Sequence, residues 1–254
     1  KAFQQYFHIF PSEYLSDQKI GFDAGCGSGR WAKYIAPKVK KLYCIEPSKK
    51  AINVAKNNLK NLENCIFECC SINSSNIENE SMDFGYCLGV LHHIPDTSQA
   101  IQSCARLLKP GAPLLLYLYY AFDDRPAWFW LLWKISDIFR AVISKLPHKL
   151  RYFSSQIIAS LIYLPLARLA YVFEKIGASE KFIDNFPLSS YRALSFYTMR
   201  TDALDRFGTR LERRFTKSQI KNMMESSGLK DVIFSNESIY WLAIGYKEIN
   251  KCVD

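Results

Sequence analysis

Asp23-Ala24-Gly25-Cys26-Gly27-Ser28-Gly29 is the stretch on which the reading of this chain turns. It follows a short apolar run at 19–23 and precedes a helical pattern at 30–36, which is the order strand, tight turn, helix. Glycines in such a turn let the backbone fold back sharply and let a ligand approach it closely. A dinucleotide fingerprint has glycines at its first, third and sixth positions. Here the sixth position is Arg30, and the glycines fall first, third and fifth. The carboxylate of Asp23, two residues before the first glycine, suits a cationic part of a ligand, such as an amino group, better than a pyrophosphate. A phosphate loop ending in Gly-Lys-Ser/Thr is absent from the sequence.

Outward from this loop, short apolar runs alternate with helical patterns. Strands are expected at 41–46, 65–68, 82–88 and 112–119, with helices at 49–61 and 97–108. This rhythm predicts a parallel sheet. Glu46 ends the second strand, 23 residues after Asp23, where an acidic side chain can accept hydrogen bonds from two ribose hydroxyls. From 126 to 177 the rhythm stops and the chain reads as helical and broadly apolar. In 128–146 the polar residues Lys134, Asp137, Arg140 and Ser144 form one narrow stripe. A second helix is expected over 156–176, kinked or interrupted at Pro165 and ended by Gly177. The longest uncharged run, 152–167, has 16 residues and falls short of the ~20 a membrane span needs, so these helices read as a lid or surface element. A polar link at 191–209 follows, then a helix at 217–227 capped by Thr216, and closing antiparallel strands at 231–235 and 240–246.

Of the 254 residues, 33 are Lys or Arg and 24 Asp or Glu, a formal +9 that suggests acidic partners. The surplus is uneven. Residues 1–120 carry 13 basic and 10 acidic side chains, whereas 125–175 carry eight and two. The basic excess therefore belongs to the most apolar stretch. Aromatic residues, at 15%, can fill a core or line an apolar pocket. The eight cysteines include Cys44, Cys65, Cys87 and Cys104 in buried-looking runs, with no Cys-x-x-Cys pair. They read as reduced small hydrophobes of a cytoplasmic protein, and no metal site is expected. No secretory signal is visible, and the chain starts at Lys1 rather than Met.

DAGCGSG at 23–29, YCIEPS with Glu46, MDFGYCLGVLHHIPD at 82–96 and LLKPGAPLLLY at 107–117 together resemble the class I S-adenosylmethionine-dependent methyltransferases, with a type 11-like core. The resemblance covers 19–120 specifically and the final strands loosely. It implies an α/β, Rossmann-like sheet of seven mostly parallel strands in the order 3-2-1-4-5-7-6, with helices on both faces and a helical insertion after strand 5. The chain then reads as a single methyltransferase domain, 1–254. It comprises a cofactor-binding core at 1–120, a lid insertion and link at 121–210, and a closing helix and strands at 211–254.

The same resemblance implies S-adenosyl-L-methionine as cofactor, with S-adenosyl-L-homocysteine as product. It assigns Asp23 and Gly25 to the methionine amino end, Gly27 to the adenosine, Glu46 to the ribose and Pro47 to the adenine. Ser71 and Ile72 take the adenine edge, where many relatives have Asp in place of Ser71. Leu88, Gly89 and Val90 border the methionine and the reacting methyl, and Cys26, Gly29, Trp31 and His93 complete the set. His93 and Tyr120 are the candidates for a catalytic group. Tyr119, Asp123, Tyr197, Arg200 and Asp202 are candidates for acceptor contacts.

The acceptor is expected to be a small apolar or amphipathic molecule: lipid-like, quinone-like or another secondary metabolite. Asp/Asn-Pro-Pro-Tyr/Phe and Pro-Cys motifs are missing, and the basic residues are interleaved with apolar ones, which argues against nucleic acid. The basic apolar insertion suits peripheral contact with a membrane, or a homodimer interface. An RNA methyltransferase, or a non-catalytic cofactor-binding scaffold or sensor, is the alternative reading.

Overall fold

The computed structural model describes residues 2–122, 126–236 and 241–249, which fall into two compact units. The first unit spans 1–121 and 213–254; the second spans 122–212.

In the first unit, five parallel strands are β1 (Ile20–Ala24), β2 (Lys41–Ile45), β3 (Cys65–Glu68), β4 (Phe84–Leu88) and β5 (Pro113–Leu118). The closing strands β6 (Leu229–Phe234) and β7 (Trp241–Lys247) are antiparallel to each other, and β7 is antiparallel to β5. The order is β3-β2-β1-β4-β5-β7-β6, as the resemblance implied. Alternate residues serve opposite faces. Leu114, Leu116 and Leu118 of β5 join one apolar core with α4 (Thr97–Leu107) and α10 (Lys217–Ser226). Leu115 and Tyr117 join the other, with α1 (Ala2–Phe7), α2 (Ala32–Ile35) and α3 (Lys49–Asn58). Because both faces are covered, the strands read as continuous apolar runs rather than alternating ones.

Local chemistry sets the helix starts. Ser48 accepts from the Ala51 N–H and Asp96 from the Gln99 N–H, while Thr216 and Gln219 form a reciprocal capping box. The helix expected at 30–36 is shorter than anticipated. It ends at Ile35 and continues as a 3₁₀ turn, Ala36–Lys38, because Pro37 sits within it.

The second unit is helical: α5 (Ala127–Ile143), α6 (His148–Ile158), α7 (Leu164–Lys175), α8 (Glu180–Asn185) and α9 (Phe196–Gly208). Its small core gathers Ala159, Tyr163, Ala167, Met199, Ala203 and Phe207. Of the two outcomes expected at Pro165, the helix is not interrupted; α6 runs into α7 through an irregular π turn, Ala159–Tyr163, and the wider turn accommodates the proline. The continuous helix, His148–Lys175, has 28 residues and is long and apolar enough to cross a membrane by length and composition alone, which the uncharged run by itself was not. The expected polar link at 191–209 is largely α9, capped by Ser195. Its buried residues, Met199, Ala203 and Phe207, recur every four positions, a stripe too narrow to stand out from its polar surroundings.

Candidate functional site

The five parallel strands direct their carboxyl ends to one edge of the sheet. β1 and β4 are neighbours there, although β2 and β3 intervene in sequence. Open α/β sheets bind ligands at such a reversal of strand order. The glycine loop, Glu46, the 89–93 segment and Tyr119 all leave strands at this edge.

Asp23 is the penultimate residue of β1 and only 1% exposed. Among the described residues, none makes a well-formed hydrogen bond to its Oδ2, although the Tyr86 hydroxyl lies beside the carboxyl. Burial pushes its pKa up to about 8; the nearby Tyr86 hydroxyl pulls the other way, and the Glu46 charge raises it further. Tyr86 is placed there by the β1–β4 register, which sets it opposite Asp23, yet its own hydroxyl also lacks a partner at hydrogen-bond geometry. A buried carboxyl without a partner is costly unless something else supplies the missing bonds. A cationic group placed here could supply them.

The turn after Asp23 is fixed by three left-handed glycines. A Cβ on Gly25 (φ 79°) would lie 2.5 Å from Val90, and one on Gly29 (φ 79°) would lie 2.8 Å from Leu59. Gly27 (φ 54°) instead faces open space. The Gly25 and Cys26 N–H groups donate to the Ile45 carbonyl at 2.8 and 3.0 Å, tying the loop to β2. Glu46 braces the same loop: its Oε2 accepts from the Gly27 N–H at 3.1 Å and its Oε1 from the Ser48 N–H at 2.9 Å. Each of these oxygens has a second lone pair, and the residue is half-buried, so it can still meet a pair of hydroxyls.

The remaining residues assigned by resemblance are distributed around this edge. Pro47 and Ser71 are exposed, Ile72 and Leu88 are buried, and Gly89 (φ 81°) and Val90 are partly exposed. Cys26 and Trp31 are buried in the apolar core, Trp31 with its ring 4.8 Å from that of Tyr6.

His92 and His93 occupy a 3₁₀ turn, Leu91–His93, in contrasting settings. His92 is fully buried, its ring stacked 3.7 Å from that of Tyr119, with neither nitrogen at hydrogen-bond geometry to a described residue. Burial, then the neighbouring His93 and Arg214, push its pKa down to about 2. His93 is half-buried, its ring 5.7 Å from Tyr119. A base whose pKa is depressed by folding costs stability as acid protonates the unfolded chain. His92→Phe, which keeps the stacking, is therefore expected to stabilise the protein more at pH 4 than at pH 7, by up to about 1.4 kcal/mol per pH unit below the usual imidazole range. Urea unfolding at the two pH values reads this, and an equal gain at both would refute a buried neutral ring.

Sequence reasoning missed Arg214. Its guanidinium lies 5.1 Å over the Tyr119 ring and donates to the Tyr120 carbonyl at 3.3 Å. Phe215 brings it there by donating to the Tyr119 carbonyl and accepting from the Ala121 N–H. Nothing local signals this, because the paired segments lie 94 residues apart. Tyr120 itself packs edge-on to Trp241. Tyr197, Arg200 and Asp202 all stand on α9 of the second unit, with the Arg200 guanidinium 5.6 Å over the exposed Tyr197 ring. Asp123 lies outside the described residues. One surface hollow runs along α4 from Asn73 and Gln99 to Arg106 and Ser227, and another lies beside Gly111 and Lys230. Among the described residues no cluster of three or more metal-ligating side chains is found.

Residues 22–116 match a family described as Methyltransferase domain. Over 93 residues the chain is 31% identical to a ubiquinone biosynthesis O-methyltransferase of Coxiella burnetii, an alignment covering 36% of this chain and 40% of that protein. Over 104 residues it is 30% identical to the uncharacterized methyltransferase YcgJ of Bacillus subtilis, covering 40% of this chain and 41% of that one. The chain thus spans about two fifths of the length of these curated relatives. Among solved structures, a putative methyltransferase from Bacillus halodurans superposes with a TM-score of 0.57 at 13% identity, covering 97% of this chain and 99% of its own, which shows a shared fold.

Proposed function

We propose that this chain, which belongs to the class I S-adenosylmethionine-dependent methyltransferase family through its core at 22–116, transfers a methyl group from S-adenosylmethionine to a small apolar or amphipathic acceptor. The observation that carries the cofactor half is the buried, unpartnered Asp23 carboxyl at the carboxyl edge of the sheet. It fits the methionine ammonium, while Glu46 fits the ribose hydroxyls and the open side of Gly27 admits the adenosine beside the backbone.

When bound, the cofactor supplies an electrophilic sulfonium methyl. What the protein contributes is alignment of donor and acceptor and exclusion of water. The rings of Tyr119 and His93, backed by the buried Tyr117 and His92, favour a flat, weakly polar acceptor. We assign to His93, which is partly open to solvent, the role of taking a proton from an acceptor hydroxyl. A relative named for O-methylation in ubiquinone biosynthesis is consistent with a quinone-like acceptor.

The test is transfer of labelled methyl into a fractionated cell extract, followed by mass spectrometry of the labelled product. Label in a low-mass organic-soluble fraction is the expected outcome. Label confined to RNA or protein would overturn the small-molecule reading, and cofactor binding with no labelled product would favour a sensor.

A further inference from the structure

The helices of the second unit are turned inside out. On α5, Leu131, Ile135, Ile138 and Val142 follow one another at helical spacing and are between 46% and 67% exposed. The opposite face carries Arg140. Arg140, two positions and about 200° around the helix from Ile138, is buried. It donates to Asp137 at 2.6 Å and to the carbonyls of Thr209 and Arg210 at 3.0 and 2.9 Å. Arg206 adjoins this cluster, paired with Glu212 at 2.6 Å, its side chain only 13% exposed.

The continuous helix of α6 and α7 repeats the pattern. Ser155, Ala159 and Ala167 face the unit's core, while Phe153, Ile157 and Leu161 face outward. Only 22% of its most apolar stretch is buried. Among the described residues, every exposed large apolar side chain except Tyr34, Val54, Ile233 and Ile249 belongs to this unit. Guanidinium groups inside and large apolar groups outside are the reverse of what water selects.

We propose that the outward faces of α5 and of the α6–α7 helix dock on an anionic lipid bilayer, lying along its surface. Charge complementarity selects this occupant. Lys134, Lys149, Arg168 and Lys175 on these helices and Lys145 in the turn between α5 and α6 are exposed, against Glu174 as the exposed acid between 127 and 176 among the described residues. Such cations extend past an apolar face towards lipid phosphates. Lys134 already lies over the rings of Trp130 and Trp133, at 5.3 and 5.1 Å, and indole rings favour the headgroup level. Docking along the surface rather than spanning follows from the inner face of α6–α7, whose Ala159 and Ala167 pack with Met199, Ala203 and Phe207. The depth gained is that of an interfacial helix, about 5–10 Å.

The experiment is co-sedimentation of the full chain with vesicles of phosphatidylcholine alone, or mixed with phosphatidylglycerol, scored by bound fraction and by the emission of Trp128 and Trp130. The wild type is expected to sediment with the mixed vesicles and to shift its emission to the blue. The double variant Ile138→Glu and Val142→Glu, at exposed positions whose change leaves the unit's core intact, is expected to lose at least about tenfold in binding. Lys145→Glu with Lys149→Glu is expected to abolish the preference for anionic vesicles. Wild-type protein that stays in the supernatant overturns the proposal. So does a stable dimer in which Trp128 and Trp130 are shielded from acrylamide and which Ile138→Glu dissociates, since the face would then belong to a second copy. Binding is read without methyl transfer, so its failure would leave the proposed activity standing.

Discussion

Asp23→Asn is expected to weaken S-adenosylmethionine binding by at least about 30-fold, because truncating one partner of a buried charge pair costs 2–5 kcal/mol. The substitution keeps size and shape, so the loop that follows should be undisturbed. The pH dependence is the more discriminating readout. In the ligand-free protein the Asp23 carboxyl, raised by burial to about 8, is protonated at neutral pH. An ammonium-bearing ligand needs the carboxylate, so binding must release a proton. Affinity of the wild type should rise with pH from about 6 towards 8, up to tenfold per unit, and the variant should lose that slope.

Stability carries the opposite sign. A carboxyl whose pKa is raised by folding stabilises the native state fully only below its unfolded value. That contribution is lost as pH rises from about 4 to about 8, at about 1.4 kcal/mol per unit. The ligand-free Asn variant should therefore be more stable than the wild type at pH 8 while binding more weakly. Calorimetry in buffers of different ionisation enthalpy, with urea unfolding alongside, checks both halves. Wild-type binding that is independent of pH between 6 and 8 would sink the assignment.

Arg140→Leu is expected to destabilise the second unit by about 3–5 kcal/mol. The leucine fills much of the volume but leaves the Thr209 and Arg210 carbonyls without their donor, and Asp137 with Arg206 3.7 Å away. Burial alone would raise the Asp137 pKa. Arg140, with help from Arg206 and Lys134, outweighs it and holds the carboxyl below its ordinary range, so the aspartate stays charged and needs its partner. Arg140→Lys should recover only part of the loss, since one ammonium cannot reproduce a fork that serves three acceptors. Urea unfolding followed by the emission of the tryptophans in 128–133 reports on this unit. A loss below about 1 kcal/mol would mean that the cluster is solvated rather than buried.

Much of the first unit was legible from residues alone. DAGCGSG with Glu46 at the next strand end fixed the type of turn and the edge of the sheet to look at. The apolar runs marked the strands, because strands buried on both faces need no alternation. The second unit was harder to read. A proline usually breaks a helix, yet at Pro165 a π turn absorbs it, and a four-residue stripe in α9 was hidden by the polar residues around it. The narrow polar stripe of Lys134, Asp137, Arg140 and Ser144 was visible, but not the side it faced.

The sequence by itself determined the local chemistry: where the glycine turn falls, which carboxylates flank it, and that an apolar, basic insertion follows the fifth strand. Those features depend on neighbours a few positions apart, and spacing records them. The tertiary structure alone decided that Asp23 lies sealed against Tyr86 without a partner, and that Arg214 reaches Tyr119. It also decided that Arg140 points inward while Ile138 points out. Each of these depends on strand register or on packing between segments distant in the chain, where burial sets the energy of a charge and no local pattern records which face is covered.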